Sequence, residues 1–302
     1  MRLLTIGVGT KGAEISSLLY KRGVKVNRIP LFRCYAVLNN LNDVSKIKLD
    51  EKNKFYLPKN SDVTGIINEI MSRYEIHEGA MLITSIKEED FNVTIELSRK
   101  LREVLDDPVM VLGVLSLKNV DSGELRRRIK SLKEFSDYLL LTREESVNET
   151  VEALNILARV GEIDLKRRVA GEVVVDTSDL FNALARDGFT VLGQSKRSIP
   201  IFKFFMKRSQ LLALRTQRMV EMVKDAVRNL SFNGDIESAK SSLIVFAGNP
   251  DEITMDGLFA SISFVESLND GMVVRYGDYP IPRARFLSTV VLFSGLRKIK
   301  FD

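Results

Sequence analysis

Through the first half of the chain, short runs of consecutive apolar residues alternate with segments of helical periodicity. Leu3 to Gly7, Arg33 to Leu38, Ala80 to Thr84, Val109 to Leu115 and Tyr138 to Thr142 have the length and β-rich content of strands. Between them, Ala13 to Arg22, Ile66 to Tyr74, Thr94 to Leu105 and Gly123 to Glu134 repeat apolar positions every three or four residues, as amphipathic helices do. Strands that are apolar along their length and separated by helices predict a mostly parallel sheet covered on both faces.

From Val147 to Val169 the pattern is helical and rich in charge, and it stops at Gly171. We take this helix as a connector. Glu172 to Asp176 follows as a turn or short strand. Then come a helix from Ser178 to Arg186, a strand from Phe189 to Leu192 and a long basic helix from about Phe205 to Leu230. A strand from Ser242 to Phe246, a helix from Thr254 to Leu268 and strands Met272 to Arg275 and Ala284 to Phe293 complete the pattern. The last two strands are joined by Asp278-Tyr279-Pro280-Ile281-Pro282, expected to be a loop because proline withholds a ladder N–H. The expected organisation is α/β: a Rossmann-like, parallel-sheet N-terminal domain over 1–145, a connecting helix over 146–170 and a smaller α+β C-terminal domain over 171–302.

Composition narrows the chemistry. With one cysteine, Cys34, and one histidine, His77, the chain has no disulfide, no Cys/His zinc site and little room for a histidine-based triad. Cys34 lies in an apolar run, where a buried, inert thiol is expected. No stretch approaches the roughly 18 apolar residues of a membrane span, and the first residues run directly into a strand without a signal-peptide pattern. The cytoplasm is the expected location. The net charge of +5 comes from 45 basic and 40 acidic residues spread along the whole chain, which argues against nucleic acid as a partner.

Gly7-Val8-Gly9-Thr10-Lys11-Gly12 follows a strand and opens a helix, the setting in which glycines let a phosphate approach backbone N–H groups at a positive helix terminus. Gly7, Gly9 and Gly12 are the candidate cofactor-binding residues. The fingerprint alone serves nicotinamide-dependent oxidoreductases and tubulin-like GTPases alike, as well as a tight turn with no ligand. A dinucleotide site also asks for a carboxylate about twenty residues on, at the end of the second strand. Here that strand ends Val37-Leu38-Asn39-Asn40, with no acid before Asp43.

Several segments in a fixed order resemble FtsZ, the tubulin homologue of bacteria and archaea. Leu3 to Gly9 resembles its first strand and glycine loop. Pro108 to Leu115, the basic helix Leu125 to Lys133 and the strand Tyr138 to Leu141 are similar to its central strand, helix and next strand. Gly171-Glu172-Val173-Val174-Val175-Asp176-Thr177-Ser178-Asp179 resembles the synergy loop, with both aspartates kept and Val174 in place of the asparagine. Asp187 to Gly193 and Ala239 to Asp251 are similar to strands of the second domain. The resemblance implies a tubulin/FtsZ-like fold. It also implies a GTP site on the first domain, completed by a neighbouring protomer whose Asp176 and Asp179 polarise the attacking water, with magnesium present where GTP binds.

The chain departs from that pattern at the phosphate loops. In place of the family's glycine- and threonine-rich loop stands Ile83-Thr84-Ser85-Ile86-Lys87-Glu88-Glu89-Asp90. Carboxylates about 4 Å from phosphate repel it by roughly 4 kcal/mol per pair at an effective dielectric of 20, so these acids suit a helix start better. Lys46 to Gly65 carries lysines where the family has alanine and glycine, and Thr142-Arg143-Glu144 replaces an asparagine-aspartate pair. Asp176 can equally serve as a helix cap.

The expectation is therefore an FtsZ-like cytoskeletal or scaffold protein of the cell-division type, self-associating or modulating FtsZ-type filaments, with GTP binding and hydrolysis weak or lost. A slow GTPase that polymerises with nucleotide is the first alternative and a nicotinamide-dependent oxidoreductase the second. The basic, apolar segment 199–228 is read as an amphipathic helix with a solvated basic face, or else as a surface for a membrane or another partner.

Overall fold

The computed structural model describes the 302 residues except 60, 74, 87–90, 117–121, 161, 163–170, 172, 174, 185–186, 200–206 and 300–302. The chain divides into two compact units, Met1–Val151 and Glu152–Asp302.

The first unit opens with β1 (Leu3–Val8) and α1 (Gly9–Arg22), then a small hairpin of β2 (Lys25–Val26) and β3 (Ile29–Pro30). It continues with β4 (Phe32–Leu38), α2 (Leu41–Val44), β5 (Lys54–Tyr56), α3 (Thr64–Met71), β6 (Ala80–Ser85) and α4 (Phe91–Val104). β7 (Val109–Leu115), α5 (Ser122–Phe135) and β8 (Tyr138–Arg143) follow, and α6 (Val147–Arg159) carries the chain into the second unit. Six strands form a parallel sheet in the order β5-β4-β1-β6-β7-β8. Every residue of β1, β6 and β7 is buried, which is why these strands read as unbroken apolar runs. α4 turns Phe91, Thr94, Leu97, Ser98 and Leu101 inward, a three-and-four spacing that makes one helix face.

The second unit contains α7 (Thr177–Ala183), β9 (Phe189–Ser198), α8 (Arg208–Arg228), β10 (Ser241–Gly248), α9 (Met255–Glu266), β11 (Val273–Pro280) and β12 (Phe286–Leu296). Its sheet runs β11-β10-β12-β9; β10 and β11 are parallel, and β12 is antiparallel to both β10 and β9. α8 buries Met219, Met222, Val223 and Ala226.

Several features differ from the sequence expectation: the connecting helix expected over 146–170 ends at Arg159, with residues 161 and 163–170 outside the described residues, and two strands run longer than expected. Asp278-Tyr279-Pro280, expected in a loop, are the last residues of β11, with Asp278 opposite Phe246 and Pro280 opposite Gly248. β11 is the edge of its sheet, so the missing N–H of Pro280 breaks no ladder. β9 continues through Gly193 to Ser198, well beyond Leu192, because β12 is long enough to pair with it as far as Phe286.

Candidate functional site

In the first sheet, β1 lies between β4 and β6, so the chain leaves β1 toward one side and later returns to build the other. Doubly wound sheets hold their ligands in the crevice outside the carboxyl ends of the strands where this reversal occurs. The glycine loop is at that position. Gly9, buried, opens α1 with a φ of 71°, a left-handed conformation that glycine adopts without steric cost. No side chain caps α1, and its first turn carries no acid. The first four N–H groups of a helix have no partner within it and sit at the positive end of its dipole. Such a terminus is built to receive an anion.

The other two glycines have a different job. A Cβ on Gly7 would stand 2.2 Å from the carbonyl oxygen of Gly12, and one on Gly12 would stand 2.2 Å from that of Ile83 in β6. These positions let α1 lie directly on β1 and β6, which fixes where its first turn points. Of the three candidate binding glycines, Gly9 shapes the loop, whereas Gly7 and Gly12 set the packing behind it.

One residue at this loop was missed by sequence reasoning. Thr10 Oγ1 donates to Asp43 Oδ2 at 3.2 Å, and Lys46 Nζ lies 2.8 Å from the other carboxylate oxygen. The Lys46 hydrogen bond, helped by its charge and by Thr10, holds the Asp43 carboxyl below the usual carboxylate range. The only signal was that Asp43 is the first acid after β4. The acids Glu88, Glu89 and Asp90 lie outside the described residues. No group of three or more metal-ligating side chains converges among the described residues.

In the second unit, Asp176 and Asp179 cap each other's backbone. The Asp179 N–H donates to Asp176 Oδ1 at 2.7 Å, and the Asp176 N–H donates to Asp179 Oδ2 at 3.2 Å. Ser178 Oγ donates to Asp176 Oδ1 at 2.7 Å. This reciprocal box satisfies two orphan donors of α7. The backbone N–H of Asp179 is the main reason that the Asp176 carboxyl is held below its usual range, so it is ionised at neutral pH. The preceding segment is fixed by Asp278, whose Oδ1 accepts from the Val173 N–H at 2.7 Å and whose N–H donates to the Val173 carbonyl at 3.1 Å. Val174 lies outside the described residues.

Cys34 is buried, and burial pushes its thiol up to about 12, far from a reactive thiolate. Burial lowers the pKa of His77. Of the basic segment 199–228, residues 200–206 lie outside the described residues. On α8, Arg215 and Arg218 both turn to Glu252, Lys224 pairs with Glu221 at 3.2 Å, and Arg228 with Asp225 at 3.5 Å. Arg215, Arg218, Lys224 and Arg228 of that segment are thus matched by carboxylates of their own unit. No helix among the described residues is long and apolar enough to cross a membrane.

Residues 142–300 match the family described as "Tubulin-like CetZ, C-terminal domain". The tubulin-like protein CetZ1 of Haloferax volcanii is 28% identical over 239 residues, an alignment that takes in 67% of this chain and 59% of the relative, less than two thirds of its length. Among solved structures, CetZ1 of H. volcanii as a GDP-bound monomer aligns with a TM-score of 0.80 at 21% identity, covering 100% of this chain and 96% of that one. CetZ2 of the same organism as a GTPγS-bound protofilament aligns at 0.78 and 20% identity, covering 99% and 95%. The family match extends over more than half of the chain and the fold agrees along its whole length: this chain belongs to the tubulin-like CetZ family of the tubulin and FtsZ superfamily.

Proposed function

We propose that the protein is a cytoskeletal filament former that holds a guanine nucleotide at the amino end of α1 and assembles head to tail, with slow turnover. The observation that carries this reading is Gly9 in its left-handed conformation, opening an uncapped helix with no acid in its first turn at the switch point of the parallel sheet. The relatives described as GDP-bound and as a GTPγS-bound protofilament support it. They weigh against the expectation that GTP binding is lost; what the departures at Lys46 to Gly65 and at Thr142 to Glu144 support is weaker binding. Phosphoryl transfer depends on positioning and charge stabilisation. Asp176 and Asp179 already spend one carboxylate oxygen each on α7, which leaves the remaining oxygen of each for a water and supports slow hydrolysis. Nothing in the site or the matches favours nicotinamide chemistry.

A second reading, a scaffold that assembles without nucleotide, follows from the same departures. Sedimentation separates the two. The filament reading expects several-fold more protein in the pellet with GTPγS and magnesium than with GDP or no nucleotide. Equal pelleting in all three would establish the scaffold instead.

A further inference from the structure

A cavity of about 760 Å³ opens at the amino ends of the parallel strands, the opposite edge of the first sheet from the glycine loop. Five separate pieces of chain enclose it. Its floor is the start of β4, where Phe32, Arg33, Cys34 and Tyr35 line it. Leu19, Tyr20 and Gly23, at the end of α1, form one wall, and Lys25 and Pro30 of the β2–β3 hairpin form another. That hairpin turns through Asn27 and Arg28, both at positive φ, the tight turn whose twist suits a short ribbon. Asp50, Lys52 and Asn53 close the third side; Arg73 and Glu75 close the fourth.

The walls are tied together. Arg73 lies 5.1 Å from the Tyr35 ring centre, donates to Asn53 Oδ1 at 2.7 Å and donates to the Lys52 carbonyl at 2.5 Å. Both lining carboxylates are occupied by tyrosines: Tyr20 OH donates to Asp50 Oδ2 and Tyr35 OH to Glu75 Oε2, each at 3.0 Å. Burial, with Glu75 adding to it, pushes the Tyr35 hydroxyl up to about 12, so it stays a donor. Glu75 is shared with Arg33, at 3.6 Å. Lys25 and Lys52, by contrast, have no ion-pair partner among the described residues. Of the four lining cations, Arg33 is matched by Glu75 and Arg73 by Glu69 at 3.2 Å, which leaves Lys25 and Lys52 as the cavity's unmatched charges. The opposing influence is the carboxyl end of α1, equivalent to about half a negative charge, and Lys21 and Arg22 in its last turn offset it.

We propose that this cavity binds a small organic phosphate, with the phosphate between Lys25, Lys52 and Arg33 and an apolar or ring portion against Leu19, Pro30 and Phe32. The volume is that of a small-molecule site, and its half-apolar lining with a few convergent polar groups is the usual composition of one. The site is separate from the glycine loop, so it is a ligand position distinct from the one proposed above.

Phenyl phosphate is the probe, followed by saturation-transfer NMR on the full chain, first without nucleotide and then with GDP added. Saturable binding is expected, weakened at least roughly tenfold in Lys25→Ala/Lys52→Ala and lost with phenol, which lacks the phosphate. The two lysines are exposed, so the variant keeps its fold, which circular dichroism checks. Absence of saturable binding, binding indifferent to the double substitution, or displacement of the probe by GDP would each overturn the assignment. None of these outcomes depends on whether the glycine loop binds GTP.

Discussion

Replacing Glu252 by alanine lowers the stability of the second unit by about 3–5 kcal/mol, the usual cost of removing one partner from a buried charge network. The Glu252 side chain is fully buried, and it is clasped by Arg215 at 3.3 Å and by Arg218. Those arginines sit three apart on α8, so they share one face, and the glutamate holds that face against the turn that leads from β10 into α9. Without it, two guanidinium groups, each less than a fifth exposed, are left beside one another with no other ion-pair partner among the described residues. Thermal unfolding followed by circular dichroism should show a midpoint lower by roughly 10 °C. Glu252→Gln should lose less because its amide oxygen still accepts. A triple variant with methionine or leucine at all three positions should recover much of the loss, since a packed apolar set replaces a buried ion network at little cost. If Glu252→Ala melts with the parent, the clasp contributes nothing and α8 is held by its methionine face alone.

The second large effect is expected at Gly12. A valine there drives its Cβ to within 2.2 Å of the Ile83 carbonyl oxygen, a backbone atom that cannot swing aside. α1 must lift from β6 at a cost of about 3 kcal/mol, the upper range for overpacking. Its first-turn N–H groups move with it, beyond the 2.7–3.2 Å range of a good hydrogen bond to a bound phosphate. Gly12→Val should therefore melt earlier and also lose at least tenfold in nucleotide affinity. Unchanged nucleotide affinity in a folded Gly12→Val protein would remove α1 from the binding site.

How much of this was legible in the sequence depended on burial. Val109 to Leu115 is a strand to the residue, and Leu3, Ala80 and Tyr138 open strands where the apolar runs begin, because central parallel strands are covered on both faces. The helix expected from Ala13 begins four residues earlier, since Gly9 to Gly12 are both the loop and its first turn. What was not legible lies at edges or in long-range contacts. The hairpin at 25–30 and β5 are too short to show an apolar period, and the ends of β9 and β11 are largely polar.

The candidate sites divide in the same way. The Asp176 and Asp179 cap is local, three residues apart, and its spacing announces it. The contact of Thr10 with Asp43 spans 33 residues, and Glu252 reads as a surface acid after Pro250-Asp251 until α8 brings two arginines to it. The cavity at the opposite edge of the sheet is assembled from residues between Leu19 and Glu75 on five pieces of chain, so no spacing rule could have found it.

The central claim is that the amino end of α1 is a working nucleotide site, and titration of the purified protein with a fluorescent GTP analogue, with and without magnesium, tests it most directly. The account predicts saturable binding with a dissociation constant of about 10–100 μM, or roughly −5.5 to −7 kcal/mol, competed by GDP and tightened by magnesium. No saturable signal up to about 1 mM, where binding free energy falls to roughly −4 kcal/mol, would contradict it and leave the glycine loop as a packing device alone.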